Sequence, residues 1–325
     1  MSYSFDSLVF KAPHSESPAS LSEAVKSSAL KGAFDNYDKQ KTLGKSRHLS
    51  AATRLMSSTA LKLIAHENVE RMVVTRPHRV GVYIACENIN LEDDFEFDLC
   101  AKNYGPDYVS PLKAPNTLAN AVGSHFARFV GIKGPNCTVS SGKLGVFQAL
   151  DMATMHIDSG AVESAIVGAV EVTSPYHAKL AVASREVAVA SAIRKSQDED
   201  TVVFYPPATW TANEDITQSV AVKLSQLSAR YLEGADIDEI WIVRRPWVSK
   251  DKLVSALSDC GFTTHVLVFS ESHLDGECAN GLLLTAMAQE TLASGTDELD
   301  VARRTVAIVD TDASGQVSML LMEGR

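Results

Sequence analysis

Ser141-Gly142-Lys143-Leu144 is the first stretch whose residue types could do chemistry, because a lysine after glycine at a strand-to-helix turn is how a phosphate is cradled. The frame fails at both ends. Cys137 stands where the first glycine of such a loop is needed, and Leu144 where a Ser or Thr hydroxyl would meet magnesium. No G-x-S-x-G, H-E-x-x-H or G-x-G-x-x-G pattern occurs elsewhere. The acidic run Glu92-Asp-Asp-Phe-Glu-Phe-Asp98 could hold a cation, but such runs are more often solvated faces. Its interleaved rings, Phe95 and Phe97, are costly to leave in water and are expected to face a cavity or a partner. The five cysteines, Cys86, Cys100, Cys137, Cys260 and Cys278, are odd in number and never in C-x-x-C spacing. They read as reduced thiols, with neither a disulfide framework nor a metal site. The nine histidines are scattered, and none suggests a ligand set by itself.

The elements that must position these residues follow from periodicity. At 325 residues, 45% hydrophobic and 22% charged, the chain has the composition of a globular protein with a sizeable core, in two compact units or two halves of one sheet system. An apolar stretch at Ser7–Ala12 reads as an edge strand, and His14–Lys45 as a polar surface segment. Apolar residues recur at helical spacing over Arg47–His66. A strand at Arg79–Ala85 opens an alternation: helix Thr117–Val130, strand Cys137–Ser140, helix Gly145–Ile157, strand Ala165–Val172. In the second half, strands are expected at Val220–Leu224, Glu239–Val243, His265–Phe269, Arg304–Val309 and Val317–Met322, with helices at Lys250–Ser258 and Ala279–Ala293. Arg194–Asn213, polar and containing Pro206 and Pro207, reads as a linker or a loop beside the site, which divides the chain into 1–200 and 201–325.

Charge narrows the partners. Forty acidic against thirty basic side chains give a net charge of −10, which argues against a nucleic-acid groove. No apolar run approaches the roughly 18 residues of a membrane span, and Met1-Ser-Tyr-Ser-Phe lacks a signal peptide's basic start, so a cytoplasmic protein without membrane contact is expected.

One long stretch is specific. Gly105-Pro-Asp-Tyr-Val-Ser-Pro-Leu-Lys-Ala-Pro-Asn-Thr-Leu-Ala-Asn-Ala-Val, continuing through Gly131-Ile-Lys-Gly-Pro-Asn-Cys-Thr-Val-Ser-Ser-Gly-Lys-Leu-Gly-Val-Phe-Gln-Ala-Leu150, resembles a β-ketoacyl synthase of the thiolase fold. That family has an S-P-x-x-x-P-[NS] segment, then G-P-S and a strand that delivers a nucleophilic cysteine to a buried helix. Ala165-Ile-Val-Gly-Ala-Val-Glu171 is similar to its V-A-G-G-x-E strand. The resemblance implies an α/β thiolase-like fold of two similar βαβ halves layered α/β/α/β/α, with the C-terminal half shortened between Asn213 and Asp236.

It also implies a dead centre. Counted without a gap from Gly134-Pro135, the nucleophile position falls on Lys143. The family's H-G-T-[GS]-T loop is replaced where Glu239–Val243 runs into Arg244, so Val243 and Arg244 stand in for the first histidine. Its K-x-x-x-G pattern places Ser272 on the lysine and Glu277 on the second histidine, while His273 is four residues out of register and remains a possible counterpart. Condensation needs a thiolate and two imidazoles. None is at a matching position.

Inactive members of this family, chain length factors, pair with a catalytic synthase and shape the tunnel in which a polyketide or polyene grows. The resemblance therefore implies a non-catalytic subunit of a type II polyketide synthase. Its partners would be a ketosynthase, the growing chain and, mainly through the ketosynthase, an acidic acyl carrier protein, for which a −10 surface is a poor dock. No cofactor is expected. The tunnel residues implied are Asn88, Leu91, Phe95, Phe97, Leu112 and Phe126. Phe95 and Phe97 would share a face if extended and diverge by about 200° if helical. Two other readings stay open. Lys143 with Glu277 could do amine chemistry such as decarboxylation, although a neighbouring carboxylate would hold the amine protonated. A homodimeric acyl-binding scaffold is the other.

Overall fold

The computed structural model describes residues 1–11, 48–180, 186–212, 215–243, 245–269, 277–294 and 304–325. The expected surface segment His14–Lys45 lies outside them, as do Arg244, Ser272 and His273. Among the described residues the first part of the chain runs β1 (Tyr3–Lys11), α1 (Ala51–Ile64), α2 (Glu67–Thr75), β2 (Val80–Cys86), α3 (Leu91–Tyr104), α4 (Ala121–Val130), β3 (Asn136–Val139), α5 (Gly145–Asp158), β4 (Ser164–Glu171), α6 (Pro175–Lys179) and β5 (Val187–Lys195). It continues through β6 (Val202–Phe204), β7 (Ala208–Thr211), α7 (Ile216–Tyr231), β8 (Glu239–Val243), α8 (Lys250–Asp259), β9 (His265–Phe269), α9 (Asn280–Ser294), β10 (Arg304–Thr311) and β11 (Gln316–Gly324).

The strand order is β3-β2-β4-β5-β1-β6-β11-β10-β8-β9, with β7 beside β11. One pattern is written twice. In β3-β2-β4-β5-β1 the first three strands are parallel and β5 and β1 are added antiparallel. In β9-β8-β10-β11-β6 the same senses recur. The two runs meet through a single pairing, Tyr3 with Phe204, and Phe204 stacks on Phe5 at 4.3 Å between ring centroids.

Side-chain alternation turns these strands into layers. Val82 and Ile84 of β2 face one way, onto Leu55 and Met56 of α1 and Phe126 of α4. Tyr83 and Ala85 face the other, into a central core shared with Phe147 and Leu150 of α5 and Leu283 and Leu284 of α9. Trp241 and Ile308 enter that central core from the second run, whereas Ile240, Ile242 and Val309 pack outward on Val220 and Leu224 of α7 and Leu253 and Leu257 of α8. The layering is α/β/α/β/α, that of a thiolase-like fold, and strands buried on both faces explain their near-continuous apolar runs. The middle layer is tight: a Cβ at Gly281 would sit 2.7 Å from atoms of Phe147 and Val146, so only glycine admits α9 this close to α5.

Three sequence expectations are corrected. The stretch Ser7–Ala12 is no edge strand: β1 begins at Tyr3 and lies mid-sheet between β5 and β6, because Tyr3 and Phe5 insert into the central core. Val220–Leu224 is helix, not strand. Asp215 caps α7 by accepting from the Thr217 N–H at 2.8 Å, and Val220, Leu224 and Leu227 form one buried stripe that a five-residue window could not tell from strand alternation. Arg194–Asn213 is no plain linker. Arg194 closes β5, pairing with Asp6 at 2.6 Å and Asp200 at 2.8 Å, and the buried Val202, Val203 and Phe204 form the strand that joins the two runs.

Candidate functional site

The carboxyl ends of β2, β3, β4, β8 and β10 converge, and in open α/β sheets that is where ligands and chemistry gather. After β3 the chain turns through Gly142, whose φ of +72° suits glycine, and a single 3-10 turn, Gly142–Leu144, presents Lys143 before α5 begins. A second 3-10 turn, Glu277–Ala279, leads into α9 and presents Glu277. The two meet, with Lys143 Nζ 3.3 Å from Glu277 Oε2. The lysine side chain is 31% exposed and the glutamate 7%, so the pair opens to solvent on the lysine side. Glu277 is held at φ +46°, a left-handed backbone that costs a non-glycine residue of order 1–3 kcal/mol and is kept where the surroundings enforce it.

Beneath this pair lie groups the sequence reading did not single out. Arg245, just past β8, donates from Nε to Asp310 Oδ1 at 3.0 Å and from Nη2 to Asp310 Oδ2 at 2.9 Å; the side chains are 1% and 0% exposed. Asp310 ends the apolar run of β10. Burial pushes its carboxyl up to about 6, with Arg245 and, more weakly, Lys143 pulling it down. Glu171, at the end of β4, is buried and accepts from the Glu87 N–H at 3.1 Å. Burial drives its carboxyl well above the usual range, helped by the charges of Glu87 and Glu277 and opposed by a hydrogen bond from the Cys278 thiol. Two thiols share the cluster, and both are poor nucleophiles. Burial pushes Cys86 up to about 12 and Cys278 well above its ordinary value, with Glu171 adding to both shifts.

Of the positions expected to stand in for catalytic residues, Lys143 and Glu277 are brought together, while Val243 ends β8 with its side chain in the central core and adds no polar group. Arg245, one residue beyond the expected Arg244, is the cation seated in the cluster. A charged residue that closes a buried strand, as in Val243-Arg-Arg245 and Val309-Asp310, is the signal that could have found this pair.

The expected tunnel residues scatter. Asn88 is held at φ +54° and its carbonyl accepts from the Leu91 N–H at 3.3 Å where the chain enters α3. The 91–104 segment is helical, so Phe95 and Phe97 diverge. Phe95 stacks face to face on Tyr176 of α6 at 4.7 Å, and Phe97 lines a cavity of about 280 Å³ with Tyr108 and Val109. Leu112 is exposed. The ring of Phe126 is fully buried in the outer core with Leu55 and Met56 of α1. A larger cavity, about 610 Å³, lies on other elements, between Trp210 and α7. Among the described residues no cluster of His, Cys, Asp and Glu is placed to hold a metal, and no helix is long and apolar enough to cross a membrane.

Seven of the fifteen exposed large hydrophobic residues described fall between Phe95 and Phe129, on α3, α4 and the turns between them. Of these elements α4 packs against β3, the strand that ends the sheet.

The chain has known likenesses. The family model of the β-ketoacyl synthase N-terminal domain matches residues 10–200. Among curated proteins no relative matches. The ishigamide ketosynthase/chain length factor has a similar structure, with a TM-score of 0.77 at 18% identity over 99% of each chain. A type II PKS acyl-carrier protein in complex with its ketosynthase bound to the hexaketide gives 0.78 at 15% identity, over 100% of this chain and 99% of that one. The oxazolomycin ketosynthase domain OzmH KS7 of Streptomyces albus JA3453 gives 0.74 at 14% identity, over 100% of this chain and 76% of that one. Identities this low establish a shared fold. With the family model covering more than half its length, the chain belongs to the β-ketoacyl synthase family.

Proposed function

We propose that this chain is a non-catalytic ketosynthase-like subunit, of the chain length factor kind, that pairs with an active β-ketoacyl synthase and shapes the tunnel for the partner's growing polyketide or acyl chain. The observation that carries this reading is the Lys143–Glu277 pair at the head of α5. The position from which the family presents its nucleophile holds a cation tied to a carboxylate. The glutamate oxygen engages the lysine nitrogen at 3.3 Å, which also disfavours the amine-chemistry reading. Cys86 and Cys278, the thiols of the cluster, are held protonated by burial and by Glu171, so neither supplies the thiolate that acyl transfer needs.

Two further observations support a paired subunit. The exposed apolar face from Phe95 to Phe129 is of the kind that marks a protein interface. The similar structures include a ketosynthase/chain length factor and a ketosynthase in complex with its acyl-carrier protein. At a net charge of −10, carrier-protein docking falls to the partner. The test is co-expression with a type II ketosynthase, read by intact-complex mass spectrometry. One copy of each chain is expected; a homodimer that ignores the ketosynthase would overturn the proposal.

A further inference from the structure

We infer that the 610 Å³ cavity between β7 and α7 is a binding site for a small organic monoanion, a carboxylate joined to a flat or aliphatic body. The elements that build it carry none of Lys143, Glu277, Arg245 and Asp310, so it stands independently of the chain length factor reading.

Local structure fixes the lining. From β7, Trp210 donates its indole N–H to Ser219 Oγ of α7 at 2.7 Å, which ties the ring to the helix beside the cavity. Lys223, one turn beyond Ser219, brings its ammonium to 5.7 Å from the centroid of that ring. Val222 adds an exposed apolar side chain, and Gln218 and Gln226 add two amides. At the near end Asp215 is committed to the helix: its Oδ1 accepts from the Thr217 N–H at 2.8 Å, the Thr217 hydroxyl at 2.5 Å and the Gln218 N–H at 3.4 Å. Lys223 is not so committed. Among the described residues no carboxylate lies within ion-pair reach of it, and neither glutamine side chain has a hydrogen-bond partner.

The charges decide between ligand classes. A cation is turned away, because the indole face already holds an ammonium. A dianion gains less than a monoanion, since Lys223 is the one cation of the lining and Asp215 opposes it with a negative charge. A neutral ligand leaves Lys223 unanswered. A carboxylate fits, because it can accept from the ammonium and from an amide N–H while the body behind it covers Trp210 and Val222. The volume lies within the range of small-molecule sites.

The probe is 3-phenylpropanoate, titrated against the purified full chain by ligand-observed NMR beside 3-phenylpropan-1-ol, 3-phenylpropan-1-amine, acetate and phenyl phosphate. The propanoate is expected to bind with a Kd on the order of 1 mM, with the alcohol, acetate and phenyl phosphate about fivefold weaker and the amine weakest. Lys223→Gln should weaken the propanoate about fivefold and bring it level with the alcohol. Trp210→Leu should weaken the propanoate and the alcohol alike, about fivefold. If Trp210→Leu does not fold, Lys223→Gln decides the matter, because the ring is the one described contact of its ammonium. The inference is overturned by an alcohol, amine or phenyl phosphate that binds as tightly as the propanoate, by a propanoate Kd unchanged in Lys223→Gln, or by no saturable binding up to about 20 mM. The chain is tested alone, so each of these results leaves its pairing with a ketosynthase to be decided by the co-expression experiment.

Discussion

Arg245→Met is the perturbation with the largest expected effect in the cluster. Both partners are essentially sealed from solvent and joined by two hydrogen bonds of 3.0 and 2.9 Å, so removing the guanidinium leaves Asp310 as an uncompensated buried carboxylate. Breaking one side of such a pair costs about 3–5 kcal/mol, which for a chain this long lowers Tm by about 4–7 °C. Its pH dependence has a definite sign. Asp310 already titrates at about 6 in the folded protein against an ordinary 3.8, so its contribution to stability is fully present below about 3.8 and is lost as pH rises through 6. Without Arg245 that carboxyl rises further. The gap between variant and wild type should therefore be widest at neutral and alkaline pH and should narrow as pH falls below 6. Chemical denaturation at several pH values, with Asp310→Leu and the double variant completing a cycle, measures this. The double variant should recover most of the loss. A cost below about 1 kcal/mol, a cost independent of pH, or additive single losses would refute the reasoning.

Lys143→Met should cost less, about 1–2 kcal/mol, because the lysine is 31% exposed and water can reach the Glu277 it abandons; Glu277→Leu in the same background should restore part of it in the same denaturation assay. Incubation with malonyl- and acyl-loaded carrier protein should leave the chain unmodified by intact-mass analysis, and an acyl adduct forming on any cysteine at a catalytic rate would end the non-catalytic reading. In a reconstituted complex, Phe97→Ala should lengthen the product by enlarging its cavity, and Phe95→Ala should do so only if its stack on Tyr176 also borders the tunnel; unchanged products from both variants, with the complex intact, place the chain-length gate elsewhere. Gly281→Ala should lower stability by about 1–3 kcal/mol, since its new methyl would overlap Phe147 and Val146, and a silent substitution would show that α5 and α9 are not in this contact.

Local pattern carried much of this protein. The β-branched runs at Val80–Cys86, Ser164–Glu171 and Arg304–Thr311, and the helical stripes of α1, α5 and α9, are readable because burial on a sheet or under a helix imposes a period that neighbouring residues record together. Lys143 was singled out for a similarly local reason, a fixed spacing from Gly134-Pro135, and the structure seats it against Glu277. Other features were not local. Val220–Leu224 holds too few residues to separate a helical stripe from alternation, and the capping Asp215 that decides it acts from outside that window. The mid-sheet place of β1 depends on Phe204, about 200 positions away, stacking on Phe5. The pairing of Arg245 with Asp310 likewise joins residues from the ends of β8 and β10, and nothing near either one states that the other will neutralise it. Charge balance in a sealed cluster is a property of strand order, because only the side-by-side ends of parallel strands bring such residues within hydrogen-bond reach. Which charges close which strands is written along the chain; only the tertiary structure decided which of them meet.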